Sequence, residues 1–345
     1  MVNLIKTSKA NMNSFYHILK SKIFNKNVPL MVNFIITEVC NSSCKYCNIP
    51  SIKKRKKEMN TKEIKKMIDN LQKKGLVRIH ITGGEPLLRK DIGEIIDHAK
   101  KKKVMTFITT NSKLIEEKIE KLKNLDLLFL CLNGKKKNHD VLRGKGNYDL
   151  VIKSINLAKK NNINLALNMI LTNNNLEDVD HVVDIARQNN IKINFTPVFN
   201  NDLARADYKD IKSIRVTDEA LKKVFSKLIL LKKKEGIVLN SLNYLRFIEK
   251  NGLKEYPEKK CVMGKLGFVV NPDGGVVPCY KYVDSKKILT NGVKDGWEKA
   301  ITNTKVPNCN LCNHNNHIEQ NRLLNFSFNS LLNLFENYNI FEKRK

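Results

Sequence analysis

Cys40, Cys44 and Cys47 crowd into the stretch EVCNSSCKYCNIP (residues 38–50), and no fourth cysteine lies nearby. Thiolates are soft ligands that suit zinc or iron–sulfur clusters. Structural zinc is closed by four protein ligands, and the next candidate downstream for the fourth, His80, stands beyond a whole helix of sequence. Three thiols closing on a four-iron cluster leave one iron open to another ligand, so the spacing favours an open cluster. A second group behaves differently: Cys261, Cys279, Cys309 and Cys312 offer four thiolates, the last pair at CxxC spacing, enough to seal a zinc ion or a cluster. Cys131 stands alone.

The elements that must position these residues are legible in the hydrophobic pattern. Apolar, β-branched runs alternate with amphipathic stretches from about residue 33 to about residue 197. The spacing predicts strands over 32–39, 77–82, 104–110, 126–132, 163–171 and 191–198, each of the first five followed by a helix. The first helix begins at Asn60 or Thr61, either able to cap it, with Glu63 in the first turn. The stretch LIEEKIEKLKNL predicts another before the fourth strand. Six such units imply a parallel sheet wound by right-handed crossovers, open or as a partial barrel. Cys40 follows directly on the first strand, at the carboxyl rim where such sheets bind ligands. Residues 199–216 break the pattern, and a long helix is expected from about Thr217 to Lys234. From residue 256 the text turns to glycine, proline and paired cysteines, a small metal-stapled appendage in which 261–279 reads as a hairpin around Asn-Pro-Asp-Gly. The tail LLNFSFNSLLNLFENYNIF is amphipathic and is expected to form a helix packed on its own domain.

Cys40-x3-Cys44-x2-Cys47, with Tyr46 just before the last thiol, resembles the signature of the radical S-adenosylmethionine (radical SAM) superfamily. Three further stretches resemble that family at successive strand ends: TGGEP (82–86), TTNS (109–112), and CLNG (131–134) followed by HDVLRGKGNYD (139–149). The resemblance implies that the open iron chelates the amino and carboxylate groups of S-adenosylmethionine, and that reduction yields a 5′-deoxyadenosyl radical that takes a hydrogen atom from substrate. It implies Gly83, Gly84 and Glu85 at the methionine amino group, Asn111 and Tyr46 near the cofactor, and Arg143 at its carboxylate, for which a guanidinium fork is well shaped. The chain departs from the pattern at the fourth strand, where relatives commonly carry Ser-x-Asp-Gly. Cys131 replaces the serine and Asn133 the aspartate. Cys131 keeps a small residue at the cofactor and reads as a buried thiol, or as one facing the site.

Cys261, Gly274 and Cys279 resemble the opening of SPASM and twitch extensions, which carry auxiliary four-iron clusters; the resemblance implies a shorter twitch-like form with one [4Fe-4S] cluster held by the four thiolates. His314 and His317 could replace a thiolate but read as hydrated loop histidines, and a zinc ribbon is the alternative. The expected fold is therefore α/β, a partial (βα)6 TIM-like barrel with a small C-terminal α+β appendage. Its expected divisions are an N-terminal helical extension (1–30), the radical SAM core (31–215), a helical connection (216–255) and a twitch/SPASM-like domain with a C-terminal helix (256–345).

Composition sets limits on what the chain does. The 345 residues, 41% of them hydrophobic, suffice for a sizeable core. No stretch approaches the roughly 20 apolar residues of a membrane helix, and the N-terminus lacks a secretory pattern, so a cytoplasmic location is expected. In that reducing setting cysteines read as ligands before disulfides. A net charge of +29 raises nucleic acid or an anionic surface as a partner, but lysine is spread along the whole length and no RNA-binding motif accompanies it. The expected partners are a peptide or small-molecule substrate and an electron donor such as flavodoxin or ferredoxin. Peripheral membrane contact stays open, and the auxiliary cluster favours a net oxidation. The competing class is a non-enzymatic, zinc-binding basic protein on nucleic acid.

Overall fold

The computed structural model describes residues 16–17, 19–21, 23–47, 49, 57–198, 214–253, 261, 263–283, 290–305, 317–318 and 321. Six parallel strands, β1 (Met31–Thr37), β2 (Arg78–Gly83), β3 (Met105–Thr110), β4 (Leu127–Cys131), β5 (Leu165–Leu171) and β6 (Lys192–Pro197), follow one another in sequence and in space. Between them run α1 (Thr61–Lys73), α2 (Ile92–Lys101), α3 (Ile115–Lys118), α4 (Lys136–Arg143), α5 (Asn147–Lys160) and α6 (Val179–Asn189). The six expected units are present, and the sheet does not close on itself: its order is β6-β5-β4-β3-β2-β1-β7-β8.

The last two strands come from the cysteine-bearing C-terminal segment. β7 (Gly267–Val270) pairs parallel with β1, Met31 opposite Gly267, and turns through Asp273 and Gly274 into antiparallel β8 (Val276–Val277). The hairpin expected between Cys261 and Cys279 thus extends the main sheet. Its turn needs glycine at 274, where φ is +85° and Gly274 N–H donates to Asn271 O.

Local chemistry explains the elements. Asn60 caps α1 in a reciprocal box, its side chain accepting from Glu63 N–H while the Glu63 carboxylate accepts from Asn60 N–H. Val32, Phe34 and Ile36 on one face of β1 join Ile64, Met67, Ile68 and Leu71 of α1 in the main core, while Ile35 on the other face packs with Val269, Val277 and Val283. The expected helix over LIEEKIEKLKNL is shorter: α3 has a single turn, then tightens into a 3-10 segment, Ile119–Leu122. That winding buries Ile115, Leu122 and Leu125 within the few residues available before β4. The expected long helix is α7 (Asp218–Glu235), capped by Thr217, and it packs on α8 (Leu242–Asn251). The outer edge of β6 is covered: Asn240 accepts from Phe195 N–H and donates to Phe195 O, imitating another strand. Cys309, Cys312, His314 and the tail lie outside the described residues.

Candidate functional site

The carboxyl ends of β1 to β4 bring the expected residues to one rim. The chain leaves β1 at Thr37 and enters the cysteine loop, which two neighbours hold. Thr37 Oγ1 donates to Glu58 Oε1 at 2.6 Å, and Arg89 bridges Glu58 and Asp91, tying the loop's far end to the turn after β2. Lys45 N–H donates to Leu142 O of α4 at 2.9 Å. The six described cysteines form no disulfide. Among the described residues no three His, Cys, Asp or Glu side chains come together as ligands of one metal ion.

The glycines after β2 have a demanding job. A Cβ on Gly84 would lie 2.0 Å from Val39 O, and one on Gly83, at φ +132°, 2.3 Å from Thr37 O. Gly84 N–H and Glu85 N–H donate to Thr37 O and Val39 O at 2.8 Å. The close approach these glycines permit is therefore to the cysteine loop itself, which they clamp backbone to backbone.

Glu85 is buried, and its carboxylate accepts from Leu87 N–H, Thr110 Oγ1 and Asn111 N–H at 2.7 to 3.0 Å. Burial raises its pKa and these bonds oppose the shift. Its three donors fix Asn111, whose Nδ2 reaches Asn41 Oδ1 at 2.7 Å and Ser42 Oγ at 3.0 Å and stands 3.9 Å from Cys40 Sγ. Glu85 and Asn111 thus orient the cysteine loop.

Tyr46, Asn133 and Arg143 meet on the opposite flank. Tyr46 Oη accepts from Arg143 Nη1 and, at 2.9 Å, from Asn133 Nδ2. Arg143 is 6% exposed, and its Nε has no hydrogen-bond partner. Burial works against its charge while Tyr46, Cys131 and Cys44 favour it, and the balance leaves its pKa above the ordinary value. Cys131 is buried and faces this group: Arg143 and Cys44 act on its thiol, Asn168 of β5 donates to it, and burial pushes its pKa up. Burial also raises Cys40, and pushes Cys47 up to about 11. These thiols therefore stay protonated near neutrality until a metal displaces the protons.

Sequence reasoning assigned no role to His139 or Asn147, which complete the rim. Asn133 N–H donates to His139 Nδ1 at 3.0 Å, His139 Nε2 bonds Asn147 Oδ1 at 2.9 Å, and Asn147 Nδ2 donates to Asn111 O at 3.1 Å. This chain ties the β4 loop to the β3 loop, and burial lowers the His139 pKa to about 4, keeping the ring neutral. The signal was the four-residue spacing of His139 and Arg143, which places both on one face of α4.

The second cysteine group is only partly described. Cys279 is buried two residues past the end of β8, whose Val277 clusters with Ile35, Val269 and Val283, flanked by Tyr280 and Tyr282. His317, expected as a hydrated loop residue, is instead buried and stacked on Tyr280 at 6.2 Å, because an aromatic neighbour rather than water covers its ring.

The donor set fits an iron–sulfur group: soft thiols beside a buried guanidinium with an unused donor. Comparison with known proteins agrees. The model of the Radical SAM superfamily matches residues 34–186. An Fe-coproporphyrin III synthase of Methanosarcina barkeri is 30% identical over 173 residues, 49% of this chain and 43% of that protein. A mycofactocin maturase MftC of Mycolicibacterium smegmatis is 23% identical over 275 residues, 78% of this chain and 69% of that protein. The structure of Streptococcus suis SuiB bound to precursor peptide SuiA shares the fold, with a TM-score of 0.70 at 18% identity, covering 86% of this chain and 70% of that one. The alignment spans less than half the length of the first of these relatives.

Proposed function

We propose that the chain, whose residues 34–186 match the model of the Radical SAM superfamily, is an S-adenosylmethionine-cleaving enzyme acting on a peptide. Cys40, Cys44 and Cys47 would hold a [4Fe-4S] cluster with S-adenosylmethionine at its open corner. When bound, this pair supplies a one-electron cleavage whose organic radical takes a hydrogen atom from substrate. The chain's own residues position and shield. Gly83 and Gly84 press the cysteine loop onto the end of β2. Glu85 and Asn111 fix that loop's first turn. Arg143 offers a charged donor to the cofactor's carboxylate. The observation that carries this reading is the orphaned Arg143 Nε, buried within electrostatic reach of Cys44, Cys47 and Cys131. A buried charge without a carboxylate partner calls for an anion.

Cys261, Cys279, Cys309 and Cys312 would hold an auxiliary cluster, with His317 beside Cys279's neighbour Tyr280 as a reserve ligand. Four protein ligands leave such a cluster to electron transfer and favour a net oxidation. Flavodoxin or ferredoxin suits the donor's role, since acidic redox proteins are drawn to a surface of net charge +29. A peptide substrate is supported by the mycofactocin maturase and by SuiB's complex with precursor peptide SuiA. A small-molecule substrate is the second reading, favoured by the 30% identity to a coproporphyrin-named synthase. No helix among the described residues is long and apolar enough to cross a membrane, and a cytoplasmic site of action is part of the proposal.

The test is anaerobic incubation of the reduced protein with S-adenosylmethionine, measuring 5′-deoxyadenosine. Its formation supports the reading; zinc-loaded, colourless protein that forms none refutes it. Deuterium transfer from a labelled precursor peptide, and none from a labelled tetrapyrrole, separates the two substrates.

A further inference from the structure

We propose that Asn133 is a positioning residue that sets Arg143 through the hydroxyl of Tyr46. The inference rests on the radical SAM reading above, because the ligand that Arg143 awaits is the cofactor's carboxylate.

Asn133 is wholly buried at the mouth of β4. Its amide orientation follows from its partners: Ile170 N–H donates to Oδ1 at 3.0 Å, and only the oxygen of an amide accepts, so Nδ2 is turned to Tyr46 Oη at 2.9 Å. Its backbone is also held, N–H donating to His139 Nδ1 and O accepting from Asn175 Nδ2 at 2.9 Å. The loop cannot drift either, because Gly134 lies against Asp178, which accepts from Lys135 N–H and Asn138 Nδ2. Contacts from β5, α4 and the turn before α6 thus converge on one residue.

Tyr46 Oη therefore receives two donors, Asn133 Nδ2 and Arg143 Nη1. Both lone pairs are taken, and the hydroxyl's own proton points away from both partners. Arg143 is anchored at one corner of its fork, and its Nε edge stays unpartnered. Glu85, an acidic group near enough to influence Arg143, is already engaged by Leu87, Thr110 and Asn111. Without the Asn133 bond, Tyr46 is held on one side only, and the guanidinium swings with it.

The experiment measures equilibrium binding of S-adenosylmethionine and of decarboxylated S-adenosylmethionine to the anaerobically reconstituted full chain. It compares wild type, Asn133→Ala, Tyr46→Phe, the double variant and Asn133→Asp, with a thermal melt of each. Wild type should prefer the carboxylate-bearing ligand, and Asn133→Ala should lose about tenfold in affinity for it while binding the decarboxylated form as before. Tyr46→Phe should lose a similar factor, and the double variant no more than either, since both act on one contact. Asn133→Asp should restore binding, because its carboxylate accepts from both Ile170 N–H and the Tyr46 hydroxyl. Equal losses for both ligands, or additive losses in the double variant, would overturn the inference and leave Asn133 a merely structural residue. Unchanged binding in a folded Asn133→Ala overturns it too. If Asn133→Ala does not fold, Asn133→Asp and Tyr46→Phe carry the test: Tyr46→Phe with full carboxylate preference is the overturning result. Wild type that binds neither ligand refutes the radical SAM reading itself.

Discussion

Two cysteine regions flank the first strand, and their surroundings are opposites. The loop after β1 sets its thiols among hydrogen-bonding groups: Asn41, Ser42 and Asn111 on one side, Tyr46, Asn133 and Arg143 on the other. The β7–β8 hairpin carries the buried Cys279 two residues past Val277, whose cluster with Ile35, Val269 and Val283 has Tyr280 and Tyr282 packed against it. A polar rim with an unused buried donor is built to receive a ligand. An apolar wall suits a sealed centre, because it excludes water and tunes potential without offering contacts. Ile35 of β1 belongs to the second neighbourhood while Thr37, two residues on, anchors the first. One strand thus carries both environments on its path.

The sharpest way to break this contrast is to remove thiols. Cys44→Ala should abolish 5′-deoxyadenosine formation and lower iron from about eight to about four per chain, whereas Cys279→Ala should lose a similar amount of iron yet keep cleavage within about threefold. Iron analysis and product quantification check both, and equal loss of cleavage in folded protein from either substitution removes the distinction. Gly84→Ala comes next. The new Cβ would stand 2.0 Å from a backbone oxygen that no rotamer change can move, so a loss of about 3 kcal/mol or more is expected in a denaturant melt.

The rim also has a pH signature. As pH falls through about 6.5 the unfolded chain protonates His139, while the folded ring resists until about 4. Stability should therefore fall across that window, by up to about 3 kcal/mol, and the bond from Asn133 N–H to His139 Nδ1 should be lost below it, where Nδ1 carries a proton, while Nε2 still donates to Asn147 Oδ1. His139→Gln should flatten the profile. Melts recorded from pH 7 to pH 4 decide this, and an unchanged slope in the variant contradicts it. The smallest expected effect is in the apolar region: Val277→Ala should cost about 2 kcal/mol of stability and leave S-adenosylmethionine affinity unaltered.

What the sequence made legible follows from range. Strands and helices were readable because each carries its own period, and the Asn60–Glu63 box because capping spans three residues. Cys40, Cys44 and Cys47 announced themselves by spacing. The pairing of β7 with β1 was not readable: it joins residues more than two hundred positions apart, and no local pattern encodes a sheet neighbour. For the same reason the hold of Glu85 on Asn111 was not readable. Asn133 read only as a departure from a motif, since its meaning depends on Tyr46 and Ile170 arriving from elsewhere. The burial of His317 likewise comes from Tyr280, a partner set by tertiary packing.

The central claim is that one cysteine group is open to a ligand and the other sealed. Mössbauer spectroscopy of protein reconstituted with iron-57, with and without S-adenosylmethionine, tests it most directly. The account predicts two four-iron clusters, with one iron, belonging to the cluster of Cys40, Cys44 and Cys47, changing its signal when S-adenosylmethionine is added. A spectrum in which no iron site responds, or protein that takes up zinc at both groups in place of iron, would contradict it.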